Sequence, residues 1–287
     1  MLRRYTDEEL QAFTAHYETH GVVKLPGLIE PAWVARILAA IDETALLADG
    51  PQPPERDLSF GRGEGRMTIR YMWRDVPVVR DFLLRAELAE PIARIVGTKT
   101  LRFWFDLTFI HSGGAHGEAG QGTPWHHDIA AFTFKGEQLP SLWMAMTQAD
   151  AQRSRLMFIA GSHKTVPGFY RTPDNPAPAD GRSDGFLDLP DFDALVASGR
   201  EKIITWDCAP GDAIIIHPYT IHGAHGNTGQ HGGRRVAITT RWLGDDVRFL
   251  PTHWSKAVQA VGIQKSGLVL GARPRGDYFP LVWNDAA

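Results

Sequence analysis

Leu101-Arg-Phe-Trp-Phe-Asp-Leu-Thr-Phe-Ile-His111 is the first long run in this chain whose residues favour an extended backbone. Alternation puts Phe103, Phe105 and Phe109 on one face with His111, while Trp104 turns to the other. Six further β-rich runs follow, at 129–134, 141–147, 157–159, 202–206, 213–217 and 235–243, separated by Gly, Pro and Asp. Short strands in this rhythm mark a sandwich or barrel, not strands alternating with long helices. Before Gly97 the pattern is different. Thr6-Asp-Glu-Glu9 sets an N-cap hydroxyl three residues ahead of a glutamate and predicts a helix to about His20. Pro31 opens a second helix, with Val34, Ile37, Leu38 and Ile41 at helical spacing. A third over 75–97 would bury Val78, Phe82, Leu83, Leu88, Ile92 and Ile95. Residues 21–27 read as a short strand closed by a turn, and 49–65 as a loop rich in Pro, Gly and charge. The expectation is one mainly-β domain over 1–287. Its helical part, about 1–97, packs outside one sheet, and its barrel part covers about 98–250. The insertion at 166–199 reads as loop plus a brief helix.

Composition narrows the partners. A chain of 287 residues, 43% hydrophobic and 22% charged, can bury a full core. A net charge of -3 provides no field to gather nucleic acid, although a few arginines can still hold a small anion. Cys208 is the only cysteine, which excludes an intrachain disulfide and a cysteine-based metal cluster within one chain. The N-terminal residues lack an apolar run of signal-peptide type, and no 18-residue stretch is apolar enough to cross a bilayer. A cytoplasmic monomer or homodimer, with no nucleic-acid or membrane partner, is expected.

Two stretches carry chemistry: Thr123-Pro-Trp-His-His-Asp128 and Ile221-His-Gly-Ala-His-Gly-Asn227. Two imidazoles and one carboxylate can cap one face of a ferrous ion and leave the other open. In a strand, His126 and Asp128 point the same way and His127 points away, so His222 must come from a facing part of the fold. A hydrogen-bonded His–Asp pair beside a hairpin histidine satisfies the same spacing, and the residues alone leave both readings open. Zinc fits less well than Fe(II), because the close ligand spacings of common zinc sites are missing. Arg235 heads a run in which Ala237, Thr239 and Arg241 share its face. Turned inward, its guanidinium needs an anion and matches a carboxylate. Turned outward, Arg234 and Arg235 are hairpin residues in solvent.

Trp125-His-His-Asp128, Phe158-Ile-Ala-Gly-Ser-His-Lys164, Pro210-Gly-Asp212, His222-Gly-Ala-His-Gly-Asn227 and Arg235-Val-Ala-Ile238 follow one another in order. In that order and spacing the chain resembles the phytanoyl-CoA dioxygenase family over most of its length, including Gly21-Val-Val-Lys-Leu-Pro-Gly27. The resemblance implies a double-stranded β-helix (jelly-roll, cupin-like) with flanking N-terminal helices. It implies mononuclear non-haem Fe(II), 2-oxoglutarate as co-substrate, and dioxygen and a small-molecule substrate as partners. It assigns His126, Asp128 and His222 as metal ligands and catalytic residues, Arg235 to the distal carboxylate of 2-oxoglutarate, and Trp143 to its side.

Departures from the family pattern carry their own expectations. His111 stands where many relatives have lysine; facing inward, it would donate a hydrogen bond to co-substrate or substrate, and otherwise it merely ends a strand. Arg153-Ser-Arg155 replaces a Glu-Asn-Gly type of turn and faces either an acidic substrate or solvent. Asp128 argues against halogenation, which in related folds uses a small residue here to admit chloride. The expected reaction is hydroxylation of an unactivated C–H bond with release of succinate and CO2; desaturation, epimerisation or ring formation satisfies the same motifs. Residues 49–67, 166–182 and 278–283 are candidate walls or lids.

Overall fold

The computed structural model describes all residues except 1, 52–55, 64, 113–121, 173–174, 176, 179–182, 228–232, 256–259 and 287. The chain begins with α1 (Asp7–His20), β1 (Val22–Leu25) and α2 (Pro31–Ala45), then the hairpin β2 (Ser59–Gly63) and β3 (Arg66–Arg70). Three helices follow, α3 (Met72–Asp75), α4 (Pro77–Leu83) and α5 (Ala86–Val96), leading into β4 (Thr100–His111) and β5 (Thr123–His126). A 3-10 turn (Asp128–Ala131) precedes β6 (Phe134–Lys135), β7 (Ser141–Ala145) and β8 (Leu156–Ile159). The insertion contributes β9 (Phe169–Tyr170), β10 (Phe186–Leu187) and α6 (Phe192–Ala197). The last elements are β11 (Ile203–Thr205), β12 (Ala213–Ile216), β13 (His222–Ala224), β14 (Arg235–Leu243), β15 (Arg248–Phe249), α7 (Ala260–Ser266) and β16 (Leu281–Asn284).

Two sheets make the jelly roll. The larger has the order β1-β12-β7-β14-β4-β3-β2, with β16 also on β4; the smaller has the order β11-β8-β13-β5. Between them lies one apolar layer. Trp143, Ala145, Ile214, Ile216 and Ala237 of the larger sheet meet Leu156, Phe158 and Ala224 of the smaller. The other face of the larger sheet, with Val23, Leu25, Leu142, Met144, Ile215, Val236 and Ile238, joins the core formed with the N-terminal helices. This division follows from alternation: each strand gives every second residue to each layer.

Local signals explain the helical part and its departures from the expected pattern. In α1, Thr6 Oγ1 accepts from the Glu9 N–H (3.2 Å) and Glu9 Oε2 accepts from the Thr6 N–H (2.9 Å), the reciprocal cap read from the sequence. Gly21 ends α1 in the left-handed region at φ 75, where a Cβ would stand 2.3 Å from Thr220 Oγ1. The helix expected over 75–97 is two helices, broken by an extended Arg85. At about 100° per residue, one straight helix would set Phe82 and Leu83 roughly opposite Leu88, Ile92 and Ile95. The break lets both groups reach the core, and all five are buried.

The run at 129–134 is also not a strand; its first half is the 3-10 turn, with only β6 at its end. Within 49–65, Ser59–Gly63 pairs with Arg66–Arg70 and extends the larger sheet, so that stretch is sheet edge instead of loop. That sheet therefore draws strands from outside 98–250, at β1 to β3 and at β16. Among the described residues, no helix is long and apolar enough to cross a membrane.

Candidate metal centre

β13 lies between β8 and β5 in the smaller sheet, and its register sets His222 opposite His126. The two imidazole centroids are 4.2 Å apart. β5 ends at His126, so Asp128 is not a strand residue as parity reasoning assumed; it opens the 3-10 turn. The turn still brings its carboxylate beside the rings, with Oδ1 3.7 Å from His126 Nε2 and 3.9 Å from His222 Nε2. One donor atom from each of the three lies within 4.8 Å of the others. The arrangement is a two-histidine, one-carboxylate facial triad, the donor set of a mononuclear non-haem iron site.

The surroundings fix each donor. His126 Nδ1 donates to the Pro124 carbonyl (2.8 Å) and His222 Nδ1 to the Thr220 carbonyl (2.9 Å). A carbonyl can only accept, so the Nδ1 atoms carry the protons and the Nε2 lone pairs point to the shared centre. Burial and the neighbouring His126 lower the His222 pKa to about 4, which keeps the ring neutral near pH 7. Burial alone would raise the Asp128 pKa, but the Arg241 guanidinium and the two imidazoles hold it well below the carboxylate range. Arg241 Nη2 lies 3.0 Å from Asp128 Oδ2, and Ser141 Oγ donates to the same oxygen at 2.9 Å. With Oδ2 engaged, Oδ1 is the oxygen left for a metal.

The turn itself is held by Lys135, whose ammonium donates to the carbonyls of Ile129 (2.7 Å) and Phe132 (2.5 Å). Burial pulls this lysine down to about 7. His127 points away from the centre, as parity predicted. It is buried, and its Nε2 accepts from the Tyr170 N–H (2.9 Å), tying β9 to the metal-bearing segment.

The expected co-substrate residues lie together on the inner face of the larger sheet. Arg235 opposes His111 across β14 and β4. Arg235 Nη2 donates to His111 Nδ1 (3.1 Å) and to Ser154 Oγ (3.2 Å), and its Cζ sits 5.7 Å from the Trp143 ring centre. Burial and the nearby Arg66 bring Arg235 down to about 9; burial and these two arginines bring His111 to about 2. His111 is thus a neutral acceptor at Nδ1, with its proton on Nε2. That Nε2 and the Arg235 Nε are buried without a partner among the described residues. A guanidinium so enclosed, with no carboxylate on it, is costly unless an anion joins it.

Other expectations resolve differently. Arg234 turns outward to Asp42 (2.7 Å). Arg153 pairs with Asp150 and Arg155 with Asp207, so neither presents a spare charge to a substrate. Within 278–283, β16 pairs with Leu101 and Arg102, at the end of β4 opposite His111. Parts of 49–67 and 166–182 lie outside the described residues. Arg241, Ser141, Ser154 and Lys135 support the site without belonging to any of its sequence motifs. A signal for Arg241 existed: it shares a face with Arg235 by alternation. Ser154 adopts φ 54, and that left-handed turn is visible only in three dimensions.

A family model described as Phytanoyl-CoA dioxygenase (PhyH) matches residues 17–236. A probable phytanoyl-CoA dioxygenase of Caenorhabditis elegans is 23% identical over 190 residues, 66% of this chain and 58% of that protein. The peroxisomal phytanoyl-CoA dioxygenase of Rattus norvegicus is 28% identical over 128 residues, 44% of this chain and 35% of that protein. The aligned part thus spans little more than half of one relative and about a third of the other. Among solved structures, the non-heme alpha ketoglutarate dependent epimerase SnoN from nogalamycin biosynthesis covers 96% of this chain and 100% of its own, with TM-score 0.71 and 20% identity. The carbocyclase SnoK from the same biosynthesis covers 97% of both chains, with TM-score 0.71 and 20% identity. EctD from S. alaskensis, solved with 2-oxoglutarate and 5-hydroxyectoine, covers 88% of this chain and 84% of its own, with TM-score 0.63 and 16% identity. At these identities the structures establish a shared fold. The family model covers well over half of the sequence, and the chain belongs to the phytanoyl-CoA dioxygenase family.

Proposed function

We propose that this protein is an Fe(II)- and 2-oxoglutarate-dependent oxygenase acting on a small organic molecule. The observation that carries the reading is a pair of complementary groups, one on each sheet. The facial triad offers three donors on one side of a metal, and the enclosed Arg235 lacks an anion. The residues fit both groups: His126, Asp128 and His222 would hold iron, and Arg235 with Ser154 would hold the far carboxylate of 2-oxoglutarate. His111 Nε2–H would supply a further donor, with Trp143 as the apolar side wall. Iron with bound 2-oxoglutarate and dioxygen supplies the capacity to break an unactivated C–H bond while succinate and CO2 are released. The protein's own part is positional: Arg241 and Ser141 hold Asp128, two backbone carbonyls orient the imidazoles, and the apolar layer restricts water.

For the outcome on substrate, epimerisation or ring closure in the making of a secondary metabolite is the preferred reading. Its support is the end-to-end likeness to SnoN and SnoK, an epimerase and a carbocyclase. Hydroxylation is the second reading, supported by the weaker likeness to EctD, which was solved with 5-hydroxyectoine. The test has two stages. Anaerobic titration of the protein with Fe(II) and then 2-oxoglutarate should develop the charge-transfer absorption of a chelated 2-oxo acid; no such band would sink the cofactor assignment. Screening small molecules for coupled succinate release, with product mass analysis, then decides the outcome. Unchanged mass, or loss of two hydrogens on ring closure, supports the first reading; gain of one oxygen supports the second.

A further inference from the structure

The inner face of the larger sheet carries a second cationic feature that neither the triad nor Arg235 uses. Residues directly opposed on antiparallel strands share a face. Across β3, β4 and β14 one row is Arg66, His111 and Arg235, and two rows on is Arg70, Leu107 and Thr239. The next row sets Phe105 against Arg241, the guanidinium on Asp128. Arg70 therefore stands on the triad-supporting face, two strands from β14, or about 10 Å at the ordinary strand spacing.

Three observations describe this part of the face. Leu107 and Phe109 are half-buried, whereas Asp106, Thr108 and Ile110 between and beside them are buried. The apolar residues of the inner row thus border free space. Gly61 of β2 lies beside the guanidinium: a Cβ there would stand 3.1 Å from Arg70 Nη1 and 2.5 Å from Thr68 Oγ1. Glycine at 61 gives the guanidinium its place over the sheet edge. Arg70 is itself partly buried, which lowers its pKa, yet no carboxylate among the described residues pairs with it. Arg62, Arg74, Arg153, Arg155, Arg171 and Arg234 each have an aspartate.

We propose that Arg70 anchors a carboxylate of the organic substrate, whose apolar body lies over Leu107 and Phe109 with the reacting carbon at the triad. This subsite rests on the proposed function and narrows it to substrates that are amphiphilic acids. The planar fork of the guanidinium matches a carboxylate in two parallel hydrogen bonds, and desolvation by the apolar floor strengthens them. Arg70 thereby replaces the Arg153–Arg155 turn as the source of acid recognition.

The test uses the full chain, with and without Fe(II) and 2-oxoglutarate under argon, and the probe pair phenylvalerate and its primary amide, followed by ligand-observed NMR. Phenylvalerate should bind at least tenfold more tightly than the amide. Arg70→Ala should remove that preference, a loss of about ten- to a hundredfold for the acid. Arg70→Lys should restore part of it, and 2-oxoglutarate affinity should stay within twofold in both variants. Equal binding of acid and amide, no binding of either, or a loss confined to 2-oxoglutarate would each overturn the subsite. If the chain bound neither Fe(II) nor 2-oxoglutarate yet still lost the acid preference in Arg70→Ala, the proposed function would fall and the subsite would stand.

Discussion

Asp128 illustrates how single residues divide the work. Its Oδ2 is taken by Arg241 and Ser141, so the carboxylate is turned and charged before any metal arrives. Arg241→Ala should therefore weaken Fe(II) binding about ten- to a hundredfold, as loss of an outer partner of a ligand does, while the fold persists. Arg241→Lys retains the charge but loses the fork and should recover only part of the affinity. Fe(II) titration measured by equilibrium dialysis checks this, and unchanged affinity in Arg241→Ala would refute it. Arg235 makes a separate prediction. Arg235→Ala should raise the dissociation constant of 2-oxoglutarate about thirty- to more than a hundredfold, with Fe(II) affinity nearly unchanged. Equal effects on both ligands would show that Arg235 serves the structure instead of the co-substrate.

At the scale of elements, β4 supplies more than a wall. Asp106 is fully buried, and its two oxygens accept the N–H groups of Met72 (3.1 Å) and Trp73 (3.0 Å) at the start of α3. Burial raises its pKa to about 7, against the pull of those backbone donors. The folded value lies above the unfolded one, so between about pH 4 and 7 the native state keeps a proton that the unfolded chain has released. This contribution to stability is full below pH 4 and is lost as pH rises through 7. Urea midpoints at pH 5 and pH 7.5 should therefore differ less in Asp106→Asn than in the wild type, even though the variant starts lower; an equal difference would remove Asp106 as the cause. The same strand shows how far element reading goes. Its span was legible from alternation alone; for the break at Arg85 helical periodicity held a signal, since it sets Phe82 and Leu83 away from Leu88 and Ile92, but only the fold shows that both groups enter the core.

For the whole molecule, the two sheets form a frame with candidate ligand groups on both. β5 and β13 bring the histidines, while β14 and β4 bring Arg235 and His111. Ligands that bind only the closed frame should stabilise it by mass action. Saturation at a hundred times the dissociation constant adds about 2.7 kcal/mol, or about 5–10 °C in Tm for a chain of this size. Differential scanning calorimetry should show one increment with Fe(II) and a second with 2-oxoglutarate, and Arg235→Ala should lose only the second. A single increment in the wild type, insensitive to 2-oxoglutarate, would contradict a shared frame.

What the sequence determined by itself was the set of candidate donors and the class of fold. His126, Asp128, His222 and Arg235 were singled out by five motifs in family order, since each residue taken alone admits another use, and period-two runs bounded by Gly, Pro and Asp announce paired sheets. The tertiary structure decided the rest. It placed Asp128 in a turn stapled by Lys135, gave its Oδ2 to Arg241 and Ser141, and set Ser154 beneath Arg235. It neutralised Arg153 and Arg155 and left Arg70 on the open inner face. The physical reason is that alternation states which residues share a face, but long-range strand pairing decides which face is enclosed and which side chains meet across it.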